Sequence, residues 1–336
     1  MTTSSETKRV VVIGSNSFSG SDFIDLLLSE GNYDVVGVSR SEEKSPIFLP
    51  YKNNPAIHRF RFHQMDMNRD MDSLIELLTD YQPSYIVNFA AQSEVGPSWD
   101  TPWEWFETNT VSLSRLVNAM KDMDFIERYV HISSPEVYGT CEGVVLEDHI
   151  MNPSTPYAAS KAAADSLLLT YVKNFSFPMS MVRSTNVYGA HQQLFKIIPR
   201  SVIYIKSGRV IELHGGGHAV KSYIHIRDIS RGELDIMLRG GMGETYHLSS
   251  ESGVAVRDVV RTLCENMGVL FEDATREVKE RLGQDAAYVI DSSKARKEFG
   301  WTTSVTLEDG LSKVIEWVEN NWDEISSHPL HYVHKP

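Results

Sequence analysis

At 336 residues, 41% hydrophobic and 23% charged, the chain suits one large α/β enzyme or a core domain with a smaller partner, and is neither disordered nor membrane-spanning in composition. No apolar run approaches the roughly 20 residues of a bilayer crossing, and the polar start from Met1 to Arg9 has no signal-peptide pattern. A net charge of −13 with no basic block argues against nucleic acid as a partner; Cys141 and Cys264 form neither a disulfide framework nor a zinc spacing, so no metal and a reducing, cytoplasmic setting are expected.

The first half alternates strands with helices. Val10 to Ile13 is a β-branched run, and Phe23, Ile24, Leu27 and Leu28 then recur at helical spacing. Val35–Val38 and Arg59–Phe62 read as strands, followed by a helix from Met71 to Leu78, a strand at Tyr85–Val87 and a long helix from Trp103 to Met120. Tyr129–Ile132 is a fifth strand, Tyr157–Tyr171 an Ala- and Leu-rich helix, and Met179–Arg183 a sixth strand. This rhythm implies right-handed crossovers and a parallel, doubly wound α/β sheet. After Asn186, short strands, glycines and isolated helices predict a smaller C-terminal α/β lobe, closed by a helix from Leu307 to Asn320 and a loosely ordered His/Pro tail. The expected division is 1–185 for the dinucleotide-binding domain, with a later contribution near 221–250, and 186–220 with 251–336 for the lobe.

Gly14, Ser17, Phe18 and Gly20 lie in the turn between the first strand and helix, where a dinucleotide pyrophosphate rests on backbone N–H groups. Ser17 stands where such turns usually carry glycine, and two glycines alone also suit a plain tight turn. The second strand ends in Ser39-Arg40-Ser41. An acid there would take the ribose hydroxyls of NAD; serine followed by arginine offers a place for a 2′-phosphate and favours NADP. Asp66, after the third strand, can accept from the adenine amino group or cap the next segment.

Tyr157 and Lys161 are four apart at the start of a helix, on one face. A lysine there can lower the tyrosine pKa, so that the phenolate takes a hydroxyl proton as hydride leaves the same carbon. Ser134 and Glu136 leave the C-terminal end of the fifth strand, where ligands bind in open α/β sheets. Ser134 can hold the reacting oxygen, and Glu136 suits proton abstraction beside a carbonyl; both residues can equally cap the following turn.

With these residues in place, the sequence resembles the extended short-chain dehydrogenase/reductases, and within them the nucleotide-sugar 4,6-dehydratases. Asn88 to Val95 and Ser39-Arg40-Ser41 are most similar to GDP-mannose 4,6-dehydratase. Pro153 to Lys161, Asn186 to Gly189, Ala287 to Lys294 and Phe299-Gly300-Trp301 are similar also to dTDP-glucose 4,6-dehydratase. The resemblance implies a Rossmann fold and a tightly bound NADP or NAD held by the glycine turn, Arg40, Asp66, Met67, Ala90, Ala91, Gln92, Asn109, Tyr157 and Lys161. It places Ser93, Glu94, Asn186, Lys196, Lys221 and Arg281 against a nucleotide-diphosphate sugar. It further implies a homodimer formed by the helices near Trp103–Met120 and Tyr157–Tyr171.

The implied reaction is oxidation at C4 with Tyr157 as base, removal of the C5 proton by Glu136, loss of water from C6 and return of the hydride to C6. Two positions depart from the pattern. Pro135, between Ser134 and Glu136, stands where the dehydratases carry an acid or hydroxyl that protonates the departing oxygen. Lys221 stands where an arginine grips phosphate, which loses the bidentate fork. The alternatives are a nucleotide-sugar 4-epimerase or C4 oxidoreductase, which needs only Ser134, Tyr157 and Lys161; a nucleotide-sugar decarboxylase, which needs an arginine for the substrate carboxylate; and a non-catalytic nucleotide-binding protein, against which the Tyr157/Lys161 pair speaks.

Overall fold

Residues 7–141, 143–279 and 289–335 are described in a computed structural model. Seven parallel strands form the central sheet: β1 (Lys8–Ile13), β2 (Tyr33–Ser39), β3 (Phe60–Gln64), β4 (Tyr85–Asn88), β5 (Arg128–Ile132), β6 (Met179–Ser184) and β7 (Thr245–Leu248), in the order β7-β6-β5-β4-β1-β2-β3. Strands buried on both faces carry continuous apolar runs, and Val10 to Ile13 are all buried. The expected doubly wound α/β sheet is present. The strand order reverses between β1 and β4, which opens a crevice beyond their C-terminal ends.

Helix α1 (Phe18–Glu30) packs on one face of the sheet, and α2 (Met71–Tyr81) on the other. The helix expected over Trp103–Met120 starts as α3 (Pro102–Phe106), widens into a π-helical segment over Glu107–Ser112 and continues as α4 (Leu113–Met120). A π segment adds a residue to the turn and often marks a functional site. Here it turns Asn109 into the buried interior. Helix α5 (Pro156–Phe175) follows from its caps: Thr155 Oγ1 accepts from the Ala158 N–H at 3.1 Å, Pro156 occupies the first position, and Ser176 ends the helix in the left-handed region.

β7 has no apolar run to announce it, because His247 sits fully buried in its middle. It is preceded by α7 (Ile226–Arg239), which docks on α1 through Arg227 to Asp22 and Asp25 at 3.0 and 2.6 Å. Beyond β6, a separate apolar cluster gathers Leu194 with Ile198 and Val202 of α6 (Ile197–Lys206) and Val259, Leu311 and Val318 of two later helices. The expected helix from Leu307 to Asn320 has those bounds. Among the described residues, no helix is long and apolar enough to cross a membrane.

Candidate active site

The turn after β1 is shaped by two glycines that nothing larger can replace. Gly14 has φ +87°, and a Cβ on it would sit 2.7 Å from the Ala90 nitrogen. A Cβ on Gly20 would sit 2.4 Å from the Gly14 carbonyl oxygen, so α1 could no longer start against the turn. Ser17 is the N-cap of α1, with its Oγ accepting from the Gly20 N–H at 3.0 Å; its φ of −73° needs no glycine. Asn16, a residue the sequence did not single out, ties the turn to the chain after β2 by donating to the Ser41 and Glu42 carbonyls. Its Oδ1 is buried without a hydrogen-bond partner.

Beyond this turn lies a cavity of about 590 Å³, within the roughly 300–1,000 Å³ typical of small-molecule sites. Gly14, Ser17, Arg40, Asp66, Met67 and Ala90 to Gln92, expected at the cofactor, line it together with Ser93 and Glu94, expected at the sugar nucleotide, whereas Asn109, Tyr157 and Lys161 are not in its lining. Phe18 and Gly20 are instead buried in the first turn of α1. Ser39 Oγ accepts from the Asn16 N–H at 3.0 Å, which leaves Arg40 as the side chain that reaches outward from the end of β2. Asp66 Oδ1 accepts from the Asn68 N–H at 2.9 Å and so also shapes its own turn. Asn109 contributes indirectly: its amide bonds both Gln92 backbone groups and the Ser160 hydroxyl, all within 3 Å, and so welds the Gln92 segment to α5. A glycine turn whose Cβ space is closed, an orphaned buried amide oxygen and a cavity of this size at the switch point together fit a dinucleotide.

The chemistry-bearing side chains stand past the Glu94 end of this cavity. Tyr157, Lys161 and Asp165 recur every fourth residue along one face of α5. Opposite them stand His131 of β5 and Ser133 just beyond its end, both bonded toward α5. The Ser134 hydroxyl hydrogen-bonds Tyr157 and also accepts from the Glu136 N–H at 3.2 Å. Burial pushes the Tyr157 phenol pKa well up, the Ser134 hydrogen bond opposes this, and the nearby charges of Glu136, Glu94 and Asp165 raise it further. Lowering by Lys161 was the sequence expectation; in this structure the Lys161 ammonium faces β5, donating to the Ile132 carbonyl at 2.8 Å with His131 Nε2 at 3.3 Å. Burial lowers the Lys161 pKa to about 8, with Asp165 holding it up.

Beneath these groups runs a buried polar chain with no counterpart in the sequence reading. Asp165 accepts from Ser133 at 2.7 Å and from Arg183 of β6 at 2.8 Å; Arg183 donates to Tyr138, whose hydroxyl lies 2.7 Å from His247 Nε2. Burial holds both His131 and His247 pKa values far down, the latter to about 3, so both rings are neutral. The chain locks the helix face that carries Lys161 to three strands.

The expected substrate groups are less gathered. Glu94 and Lys196 form an ion pair with each other at 2.7 Å. Asn186 lies on a short strand paired with Tyr223–His225, and Lys221 on another two-residue strand, both half-buried. Arg281 lies outside the described residues. The tail, expected to be loosely ordered, has no regular secondary structure, and its residues His328, Tyr332, Val333 and Lys335 join the cavity lining.

A family model described as GDP-mannose 4,6 dehydratase matches residues 11–314. Among curated proteins, the chain is 28% identical to a dTDP-glucose 4,6-dehydratase of Neisseria gonorrhoeae, over 94% of this chain and 96% of that one. It is 29% identical to an Arabidopsis thaliana trifunctional UDP-glucose 4,6-dehydratase/UDP-4-keto-6-deoxy-D-glucose 3,5-epimerase/UDP-4-keto-L-rhamnose-reductase, covering 95% of this chain but 48% of the other, so the chain spans about half that protein's length. Among solved structures, the dTDP-glucose 4,6-dehydratase DesIV of Streptomyces venezuelae, crystallised with NAD and TYD, superposes with a TM-score of 0.86 at 29% identity, covering 94% of this chain and 98% of that one.

Proposed function

The chain belongs to the GDP-mannose 4,6 dehydratase family, and we propose that it converts a nucleotide-diphosphate hexose to the 4-keto-6-deoxy sugar nucleotide with a tightly held NAD(P). The observation that carries this reading is that the Glu136 charge bears on the Tyr157 phenol, while Ser134 Oγ bonds both that phenol and the Glu136 backbone N–H. A C4 oxidation alone needs a tyrosine; a second base beside it is what removal of the C5 proton requires.

The steps for the chain's own residues follow. Ser134 holds the C4 oxygen against Tyr157, and the phenolate takes its proton as the C4–H bond breaks. An oxidised dinucleotide held along Gly14, Ser17, Arg40 and Asp66 would supply the hydride acceptor for C4 and the donor for C6, and its positive ring would lower the phenol pKa. The ketone now at C4 acidifies C5–H, and Glu136 takes that proton. Water leaves from C6 with a proton from a neighbouring acid, and C5 regains a proton as C6 is reduced. Asn186, Lys196 and Lys221 are the proposed diphosphate contacts; Lys196 exchanges Glu94 for the phosphate. A homodimer is supported by the exposed Trp99, Trp103, Phe106 and Val111 beside α5, which itself exposes Leu169 and Phe175. Sedimentation at the mass of one chain would contradict it.

A second reading, a 4-epimerase or C4 oxidoreductase, is favoured by Pro135, which has no proton to give. One experiment separates the two: incubation with a panel of nucleotide sugars, read by mass spectrometry. Loss of one water supports the dehydratase; a product of unchanged mass supports the epimerase. For the cofactor, NADP is proposed because Arg40 follows Ser39 and because Lys44 and Lys335 line the same cavity. Nucleotide extracted from the purified protein should carry the 2′-phosphate. Extraction of NAD alone, with no change in its affinity in Arg40→Ala, contradicts this.

A further inference from the structure

From His328 to Lys335 the chain has no regular secondary structure, bending at His328, Leu330 and His331, and its residues alternate between half-buried and exposed. The half-buried set is His328, Leu330, Tyr332 and His334. His328 meets the Phe48 ring edge-on at 5.3 Å, and Leu330 packs on the apolar cluster of α6 and the Leu307–Asn320 helix. Tyr332 meets Phe195 edge-on at 5.5 Å. His334 stacks flat on the buried Trp105 of α3, with ring centres 5.1 Å apart and planes 8° from parallel.

Two polar contacts fasten the far end to the body and one braces it internally. His334 Nε2 meets the Glu104 carboxylate and holds its pKa below the ordinary value; Tyr332 and His334 share a hydrogen bond of 3.0 Å; and the Gln92 side chain donates to the Lys335 carbonyl at 2.8 Å. Gln92 belongs to the segment after β4 that walls the dinucleotide cavity, so the tail is bonded to the cavity wall itself. The anchors therefore span the cavity, from the lobe at Leu330 and Phe195 to the Rossmann side at Trp105 and Gln92. Tyr332, Val333 and Lys335 of the tail are themselves walls of the 590 Å³ cavity. The tail also brings Lys335 near Lys44, whose pKa is lowered by desolvation and by that second positive charge. Two cations held together favour an anion between them.

We propose that residues 328–335 form a retaining strap over the dinucleotide site, which must open before the cofactor can leave. The proposal rests on the assignment of this cavity to NAD(P), and it supplies what that reaction needs: a hydride taken from C4 and returned to C6 requires a cofactor that stays through the turnover.

The test is the rate at which bound NADPH leaves. Full-length protein is loaded with NADPH and mixed with excess NADP, and the loss of bound-state fluorescence is followed. A chain ending at Leu330 and the full-length Tyr332→Ala/His334→Ala variant should both release NADPH at least about tenfold faster, as expected from losing an aromatic stack and a partly buried hydrogen bond. Tyr332→Phe keeps the ring contact with Phe195 and should stay within about threefold of the parent rate, since the hydrogen bond it removes lies within the strap and ties nothing to the body. Release unchanged in both disrupted variants overturns the strap while leaving the cofactor assignment intact. Slower release also overturns it, because the tail would then compete for the groove. Failure of the full-length protein to bind NADPH or NADH removes the cofactor assignment, and the strap with it.

Discussion

Tyr157→Phe is expected to abolish reduction of the bound cofactor by substrate, a loss of at least ~10²-fold for a general base. The ring is buried and the substitution keeps its packing. Only the hydroxyl goes, and with it the hydrogen bond to Ser134, whose oxygen retains the Glu136 N–H. The cost in stability should be no more than about 1 kcal/mol, the usual net value of one hydrogen bond. Thermal unfolding and cofactor reduction, measured on one preparation, therefore separate a catalytic loss from a folding loss. A variant that reduces its cofactor at the parent rate would remove Tyr157 from the reaction. The structure sharpens the expectation, because burial and the Glu136, Glu94 and Asp165 charges all favour the protonated phenol. The oxidation step should accordingly quicken as pH rises, as more of the tyrosine becomes phenolate.

What was legible in the sequence was whatever depends on local spacing. Gly14 and Gly20 could be placed because a strand-to-helix turn permits no Cβ there, and Tyr157 with Lys161 because four residues return to the same helical face. Alternating strands and helices gave the sheet for the same reason. What was not legible depends on groups distant in sequence. The seventh strand has a histidine at its centre, tolerable because Tyr138, from a turn more than a hundred residues earlier, and the Asp291 carbonyl meet its two ring nitrogens. The direction of the Lys161 ammonium is set by the Ile132 carbonyl and by Asp165, which Arg183 and Ser133 hold in place. The tail reads as polar and irregular because its partners, Phe48, Phe195 and Trp105, come from three separate parts of the chain. Asn16 carried a signal that could have been used: an amide in a glycine turn often bonds a neighbouring loop's backbone.

Glu136→Gln has the most informative expected outcome, because Pro135 leaves the carboxylate with two duties. Pro135 opens a short helical turn at a position where its missing N–H has no acceptor to satisfy, and it is buried there. It shapes the turn that presents Glu136 but can exchange no proton. If water is lost from C6, Glu136 removes the C5 proton as a carboxylate and then, as the acid so formed, protonates the departing oxygen. Glutamine keeps the shape and the backbone bond to Ser134 but not the basicity. The variant should still oxidise C4, and should accumulate reduced cofactor and a 4-keto hexose with its C6 oxygen retained, at least ~10²-fold slower in forming the deoxy sugar. Solvent deuterium should enter C5 in the parent enzyme only. A second consequence follows from the electrostatics. The Glu136 charge is one of the causes that raise the Tyr157 pKa, so its removal should shift the pH dependence of cofactor reduction toward lower pH. Exchange at C5 and product formation at the parent rate would make Glu136 a structural residue. A parent enzyme that never exchanges C5 with any sugar nucleotide, yet reduces its cofactor, would leave Ser134, Tyr157 and Lys161 as the working set and make the C4 epimerase or oxidoreductase the correct reading.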